Sequence, residues 1–384
     1  METAPHRRPI MRLVLLFTVL AMVAAACGDD STAETTAATQ ATTEATQPPE
    51  TSGATTAATT AATTTATTEP PPEPVDLSFR LDFFTFNGYH NAAHVADEMG
   101  WFADEGITID IREGQGSTAT AQAVAEGETD FGMVVGTTII DSVFQGLEIK
   151  SVAQHLVFSG FCVITVPEVS GITDIQQLEG GTIANPPFGA SGPLLPGFFA
   201  KTGLEDVTIV NIGETAAGPA LLEGLTDAWV STLFGFPILF KEEFDTDSEC
   251  FPFSEVDADP VGWGIVANNE MIENNPDVIR RFLRAFLKGW LYTLENPLAS
   301  SEITFDRVPT TTTAATGVAS LEFILNFGLA PFPRDGLAFA EHSQTDWENS
   351  LILARDFLGV DPSPALEDLY TNEFLPSAEE IASG

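Results

Sequence analysis

The sequence predicts two α/β lobes, each built on a mixed, mostly parallel sheet flanked by helices. Three observations carry that expectation. From Leu81 to Gly136 the turn-rich segments Thr85–Tyr89, Glu113–Ser117 and Gly136–Thr138 each follow a short apolar, β-prone run, so strand, loop and helix repeat. The rhythm restarts at Phe161, and short βα units joined by right-handed crossovers favour parallel pairing. A long helical tail then opens at Asn275, suited to packing back onto the first lobe.

Residues 1–27 read as an export signal, with His6, Arg7, Arg8 and Arg12 ahead of the apolar run Leu13–Ala26. That run is short for a membrane span, which needs roughly 20 residues. It ends in Ala24-Ala25-Ala26-Cys27, which resembles a bacterial lipobox with Cys27 as the lipidated residue. Ala24 stands where the usual leucine would be, and an ordinary signal cut after one of the alanines is the alternative. Residues 28–74 are Thr, Ala, Glu and Pro with almost nothing to bury, a composition expected to stay disordered. As a coil such a tether reaches about 40 Å.

The globular part begins near Val75. Leu77, Phe79 and Leu81 alternate with polar residues as in a strand, and Asn91–Met99 suits a helix. Ile107, Ile109 and Ile111 mark a second strand, Ser117–Glu126 a helix, Asp130–Val135 a strand, Thr137–Gln145 a helix and Ile149–His155 a strand. In the second set, strands are expected at Phe161–Val166, Thr182–Ala184, Val207–Asn211 and Asp227–Val230. Helices are expected there at Thr173–Leu178, Leu194–Lys201 and Gly218–Leu222. Val261–Ala267 returns to strand. Asn275-Pro276-Asp277 then starts a helix with a capping residue, a first-turn proline and a dipole-matched acid. Val278, Ile279, Phe282, Leu283, Phe286, Leu287, Trp290 and Leu291 share its apolar face; Arg280, Arg281, Arg284 and Lys288 fall on the other, expected to be solvated. Further helices are expected around Gly317–Leu325 and Thr345–Leu358.

Acidic residues number 55 against 15 basic ones, a formal net charge of -40. Nucleic acid and anionic membrane surfaces are poor partners for such a chain, because both need clustered Lys and Arg. Only Lys150, Lys201, Lys241 and Lys288 are available for Schiff-base chemistry. Cys162 and Cys250 are permitted to pair in an exported protein, but their geometry is not legible in sequence.

The ordered motifs are similar to those of a known family. Ala96-Asp97-Glu98-Met99-Gly100-Trp101-Phe102-Ala103-Asp104-Glu105-Gly106 resembles the opening of the substrate-binding proteins of ABC importers for nitrate, alkanesulfonates, taurine and the thiamine pyrimidine precursor. The likeness continues in Gly114-x-Gly116-Ser117, Ala123-Val124-Ala125-x-Gly127, Asp130-Phe131-Gly132 and Ile172–Leu178 followed by Gly180–Ile183. It closes with Ala220-Leu221-Leu222-x-Gly224, Asp227-Ala228, Asn275-Pro276-Asp277 and Phe282-Leu283-Arg284-Ala285, covering 76–300. The resemblance implies a two-lobed periplasmic-binding-protein (type 2) fold: lobe 1 from 75–162 plus 262–384, lobe 2 from 163–261, and two hinge crossovers. It also implies a monomer on the outer face of the membrane that closes on a small molecule. An ABC permease and ATPase are the implied partners, with the lipid anchor the only membrane contact, and neither cofactor nor catalytic residue is expected. Asn87 and His90 match an Asn-x-x-His of the thiamine-pyrimidine branch, although this loop is longer and lacks the branch's proline.

Loops at the carboxyl ends of the strands are where such a sheet binds ligands. Gln115, Gly116, Ser117 and Thr118 sit at a helix N-terminus whose free amides can hold an anion or acceptor oxygen, or simply form a capped turn. Gly189, Ala190 and Ser191 repeat the arrangement in the second lobe, with Thr137 in the third loop. Phe83, Phe84, Phe86 and Tyr89 crowd the first loop, and Trp229, Phe234 and Trp263 fall near the ends of later strands. Many are core residues, yet Phe84, Phe86, Tyr89, Trp229 and Trp263 are candidates to stack on a flat ligand. With the acidic balance, this favours a neutral or cationic heterocycle over a sulfonate or nitrate. His90 and His94 have the i, i+4 spacing of a metal clamp but no third ligand, so His90 is assigned as a hydrogen-bond donor and no metal is expected. A pyrimidine-synthase-like enzyme on the same fold is the alternative of another class. It would need a Cys-rich motif and a lysine near the histidine, and 75–149 contains no lysine.

Overall fold

Residues 73–85, 87–187, 189–308 and 312–383 are described by the computed structural model. The export segment with Cys27, the tether as far as residue 72, and Phe86 lie outside the described residues. Ten strands occur in chain order: β1 (Val75–Arg80), β2 (Ile107–Arg112), β3 (Phe131–Val135), β4 (Ile149–Gln154), β5 (Phe161–Thr165), β6 (Thr182–Asn185), β7 (Thr208–Asn211), β8 (Ala228–Thr232), β9 (Glu249–Pro252) and β10 (Trp263–Asn268). They form two five-stranded sheets, ordered β2-β1-β3-β10-β4 and β7-β6-β8-β5-β9. Both are mixed. Half the pairings in each sheet, not most, are parallel: β10 runs antiparallel to β3 and β4, and β5 antiparallel to β8 and β9.

The orders share one logic. The strand entering each sheet after a crossover, β5 or β10, takes the same slot, next to the sheet's third parallel strand. Central β3 reads Phe-Gly-Met-Val-Val and is buried throughout, while β7 lies at an edge and is mostly exposed. A matching clasp ties the parallel strands of each sheet. Asp130 Oδ2 accepts from the Ser78 amide and hydroxyl, both at 2.8 Å, and Asp227 Oδ2 accepts from the Thr182 amide and hydroxyl, also at 2.8 Å. This accounts for Asp130-Phe131-Gly132 and Asp227-Ala228: each aspartate, one residue before its own strand, ties that strand's start to the neighbouring parallel strand.

Between the sheets the chain crosses twice, and the two passes bond to each other. Phe158 and Val261 form an antiparallel bridge, and the Gly262 amide donates to Val157 O at 2.9 Å. A Cβ on Gly262 would lie 2.3 Å from Leu156 O, so only glycine allows this approach. Asp259 accepts from the Ser159 hydroxyl and, at 3.2 Å, from the Gly160 amide. Cys162 on β5 and Cys250 on β9 form a disulfide across a separation of 88 residues, pinning an edge strand. Closing a loop of that length removes about 4–5 kcal/mol of freedom from the unfolded chain in the chain-entropy model.

The helix Pro276–Glu295 forms where its pattern predicts, but two details differ. Asn275 makes no side-chain cap; Asn268 instead caps a short helix, Asn269–Asn274, that the pattern did not reveal. The basic side is only partly solvated. Arg281 is 5% exposed and donates to the carbonyls of Glu73 and Glu105, and Arg284 grips both Glu105 oxygens at 2.7 and 2.6 Å. Lys288 lies 4.7 Å from the Trp101 ring centre and Arg280 5.2 Å from that of Phe374. No helix among the described residues is long and apolar enough to cross a membrane.

This helix packs on Asn91–Glu98 through Gly289, where a Cβ would lie 2.2 Å from Ala92 O. Gly289→Ala is therefore expected to destabilise by about 1–3 kcal/mol through overpacking, despite alanine's better helix propensity. Urea unfolding of the two proteins measures this; unchanged or raised stability would contradict the packing described.

Candidate functional site

Between the carboxyl-end loops of the two sheets lies a cleft, open at its mouth. Asp82, Phe83, Tyr89, Gly116, Ser117 and Trp263 line it from the first sheet's side, and Phe161, Gly189, Ala190, Ser191, Ser231, Thr232 and Phe236 from the second's.

Asp82 lies two residues past the end of β1 and is 5% exposed. Its carboxylate gathers three donors: Trp263 Nε1 to Oδ2 at 2.7 Å, His90 Nε2 to Oδ1 at 3.1 Å, and the Tyr89 hydroxyl to the two oxygens at 3.1 and 3.0 Å. Burying a carboxylate without such partners would cost several kcal/mol. The loop around it is built to fit. The Asn87 side chain caps a 3-10 turn, Gly88–His90, by accepting from the Tyr89 amide at 3.2 Å. Gly88 sits against the helix Ala314–Asn326, where a Cβ would lie 2.3 Å from Leu321. From β2, Gly114 lies so close to Leu81 O that a Cβ would stand 2.1 Å from it, and the Gly116 amide donates to Asp82 O at 2.7 Å. Gly116 has φ +117, a conformation that strains other residues. It leads into the helix Ser117–Ala125, whose first residue lines the cleft.

Aromatic rings form much of the wall. Tyr89 lies edge-on to Phe234 at 5.4 Å and 5.6 Å from Trp263, and Phe161 meets Trp263 at 5.8 Å. Phe83 and Phe84, 4.3 Å apart, reach from the first loop onto the core of the second sheet beside Trp229 and Phe236. On the second sheet's side the hydroxyls of Ser191, Ser231 and Thr232 show no hydrogen bond among the described residues. Among the described residues, the cleft lining contains no lysine, arginine or cysteine.

Of the residues expected from sequence, Tyr89, Gly116, Ser117, Gly189, Ala190, Ser191 and Trp263 lie on the cleft wall. Asn87 and His90 stand behind it and shape the Asp82 loop, and Thr137 is buried beneath the loops. Gln115 and Thr118 point to solvent. Trp229 is fully buried, 4.1 Å from Phe236, which takes the place on the wall that Trp229 was expected to fill. Ser191 does not cap a helix; a 3-10 turn, Gly192–Leu194, separates it from the helix Leu195–Thr202. Sequence reasoning passed over Asp82, Phe161, Ser231, Thr232 and Phe236. Asp82 left one signal, an acid between Leu81 and Phe83 at a strand's carboxyl end.

Burial holds His94 and His155 neutral, lowering each from 6.5 to about 3, and lowers His342 to about 4. Burial also pushes Asp259 up from 3.8 to about 6, against the hydrogen bonds from Ser159 and Gly160. The histidines stabilise the fold above 6.5 and lose that contribution as pH falls toward their folded values; Asp259 does the reverse, favouring the fold below 3.8 and losing that as pH rises through about 6. Between pH 4.5 and 6 unfolding should therefore take up about two protons net from these groups, so stability should drop by roughly 2–3 kcal/mol per pH unit of acidification. Denaturation midpoints across that range check the sign; stability that is flat or rises on acidification would show the histidines are not buried neutral.

Comparison with known proteins adds a family and a fold. The model of the family described as NMT1/THI5 like matches residues 87–300. A formylaminopyrimidine-binding protein of Halalkalibacterium halodurans is 26% identical over 223 residues, 55% of this chain and 64% of that protein, so the chain spans just under two thirds of that relative's length. The riboflavin-binding protein RibY of Chloroflexus aurantiacus is 25% identical over 298 residues, covering 74% of this chain and 81% of the relative. A 4-amino-5-hydroxymethyl-2-methylpyrimidine phosphate synthase of Candida albicans is 26% identical over 226 residues, covering 54% of this chain and 65% of the relative. Among solved structures, the alkanesulfonate-binding protein SsuA of Xanthomonas axonopodis pv. citri bound to MOPS superposes with a TM-score of 0.57 at 16% identity, covering 80% of this chain and all (100%) of that one. The fold is that of periplasmic binding proteins.

Proposed function

The chain belongs to the NMT1/THI5-like family, and from that premise we propose that it is an extracytoplasmic solute-binding protein that delivers a small molecule to an ABC importer. The observation that carries this reading is the cleft itself, walled by loops from two separate sheets and lined by aromatic rings, free hydroxyls and one carboxylate. Lobe 1, residues 75–162 plus 262–384, and lobe 2, residues 163–261, close on the ligand about the paired crossovers. Ligand touching both lobes favours the closed state by its differential affinity, and the closed form is what the permease and ATPase engage. Cys27 carries the lipid anchor, 28–74 is the tether, and the protein acts as a monomer outside the membrane.

The ligand is a thiamine-precursor pyrimidine or a related heterocycle, with sulfonates, taurine and nitrate as the alternative. Five rings on the cleft wall suit a flat molecule, and the absence of Lys and Arg from the lining argues against an oxyanion. The synthase-like reading is less well supported: both cysteines of the globular part are joined in one disulfide and no lysine lines the cleft.

A thermal-shift screen of aminopyrimidines, riboflavin, taurine, an alkanesulfonate and nitrate tests this. Saturation at a hundredfold excess over Kd is worth about 2.7 kcal/mol, a rise of roughly 5 °C in Tm for a protein of this size. A heterocycle is expected to give that rise. A rise with taurine, sulfonate or nitrate alone would overturn the ligand preference and leave the solute-binding role standing.

A further inference from the structure

The charge inside the cleft points to something more specific than a flat heterocycle. Among the described residues that line the cleft, Asp82 is the one acidic or basic side chain, and it is 5% exposed. Its neighbours do not cancel it there. Tyr89 and Trp263 are neutral donors, and the His90 ring is 0% exposed against 8% for the Asp82 side chain and is not among the residues that line the cleft. The bonding is also incomplete. A carboxylate offers about four lone-pair sites. Trp263, His90 and Tyr89 bring three protons to them, the Tyr89 hydroxyl lying within reach of both oxygens, so acceptor capacity remains.

Two features nearby bear on the same question. The start of the helix Ser117–Ala125 reaches the cleft and carries partial positive charge, which would favour an anion. That charge is about half an elementary unit, against a full unit on Asp82, so the carboxylate decides the sign. Tyr89, Trp263, Phe83, Phe161 and Phe236 surround the space, and aromatic faces attract a cation, most strongly when water is excluded. The free hydroxyls of Ser191, Ser231 and Thr232 stand on the opposite wall, suited to a ligand's ring nitrogens or oxygens.

We propose that the cleft selects a small monocationic amino-heterocycle, whose charged N–H group donates to Asp82 while its ring lies among the aromatic side chains. The proposal rests on the solute-binding reading and adds the charge of the ligand and the residue that reads it. Asp82 thus has two roles, anchoring the loop through its three donors and recognising the ligand through its remaining lone pair.

A pair of ligands of equal shape and different charge isolates the effect. At pH 7, 4-amino-5-aminomethyl-2-methylpyrimidine is a cation through its primary amine, and its 5-hydroxymethyl counterpart is neutral. Calorimetric titration of the purified protein is expected to show the amine binding at least tenfold tighter. In Asp82→Asn, an isosteric change that keeps an acceptor oxygen, the preference should shrink to about threefold or less. Equal or tighter binding of the hydroxymethyl compound overturns the proposal, as does a tenfold preference that survives in Asp82→Asn. If that variant does not fold, the comparison in the unaltered protein decides alone. Benzylamine, benzyl alcohol and benzenesulfonate give a second series by thermal shift, with benzylamine expected to stabilise most. Stabilisation by the alcohol or sulfonate alone sinks the cationic preference but not the binding role; no binding by any compound in either series counts against both.

Discussion

A buried carboxylate must be met by donors or it unfolds the loop that carries it, and Asp82 meets this demand with groups distant in sequence. Trp263 is 181 residues away, on the first strand after the chain returns from the second sheet. The bond at 2.7 Å can form only when β10 is seated between β3 and β4, so the native shape of the loop after β1 depends on both crossovers being in place. Gly114, Gly116 and Gly88 then become obligatory because the loop is hemmed in on every side. Losing a donor would leave charge unsatisfied in a dry environment, a penalty larger than the net worth of the hydrogen bond removed.

The sheets repeat one another while exchanging strands. In both, a hydroxyl residue on one parallel strand is clasped by the aspartate that precedes its neighbour. In both, the strand arriving from the other half occupies the same antiparallel slot. That exchange is what forces two crossovers, and two crossovers lying side by side behave differently from one. A single linker permits twisting as well as bending, whereas a pair bonded to each other, here through Phe158, Val261, Ser159 and Asp259, would confine the proposed closure toward one axis. The glycine at 262 lets them approach closely enough to bond.

Much of this was legible in sequence, for local reasons. Strands such as β1 and β2 and the helix Pro276–Glu295 announce themselves by periodicity, and the Gly114-x-Gly116-Ser117 loop by its composition. What stayed hidden depends on which surfaces meet. The polar stripe of Arg280, Arg281, Arg284 and Lys288 looks solvated because periodicity says which face is polar, not what covers it; Glu105, Trp101 and the segment at Phe374 do so. Trp229 and Phe236 could not be ranked, since both lie near a strand end and only packing decides which ring faces the core. Ser231 and Thr232 carry no motif at all, and β9 is too short and too mixed to read as a strand. The disulfide needed a Cα separation of 5.7 Å that no spacing rule supplies.

The two walls of the cleft are held unequally, and the asymmetry has an energetic meaning. On the first sheet's side, Asp82, Tyr89 and Trp263 are locked by hydrogen bonds and close backbone contacts before any ligand arrives. On the other side Ser191, Ser231 and Thr232 present hydroxyls with no side-chain bond among the described residues. A ligand meeting the first wall gains preorganised contacts at little entropic cost, because those groups have no freedom left to lose. Contacts with the second wall must order rotatable hydroxyls and bring the halves together, so their net gain is smaller per bond. On the proposed reading, affinity is set mainly where Asp82 sits, and the second wall would contribute the difference in contact between open and closed states that makes closure respond to ligand at all.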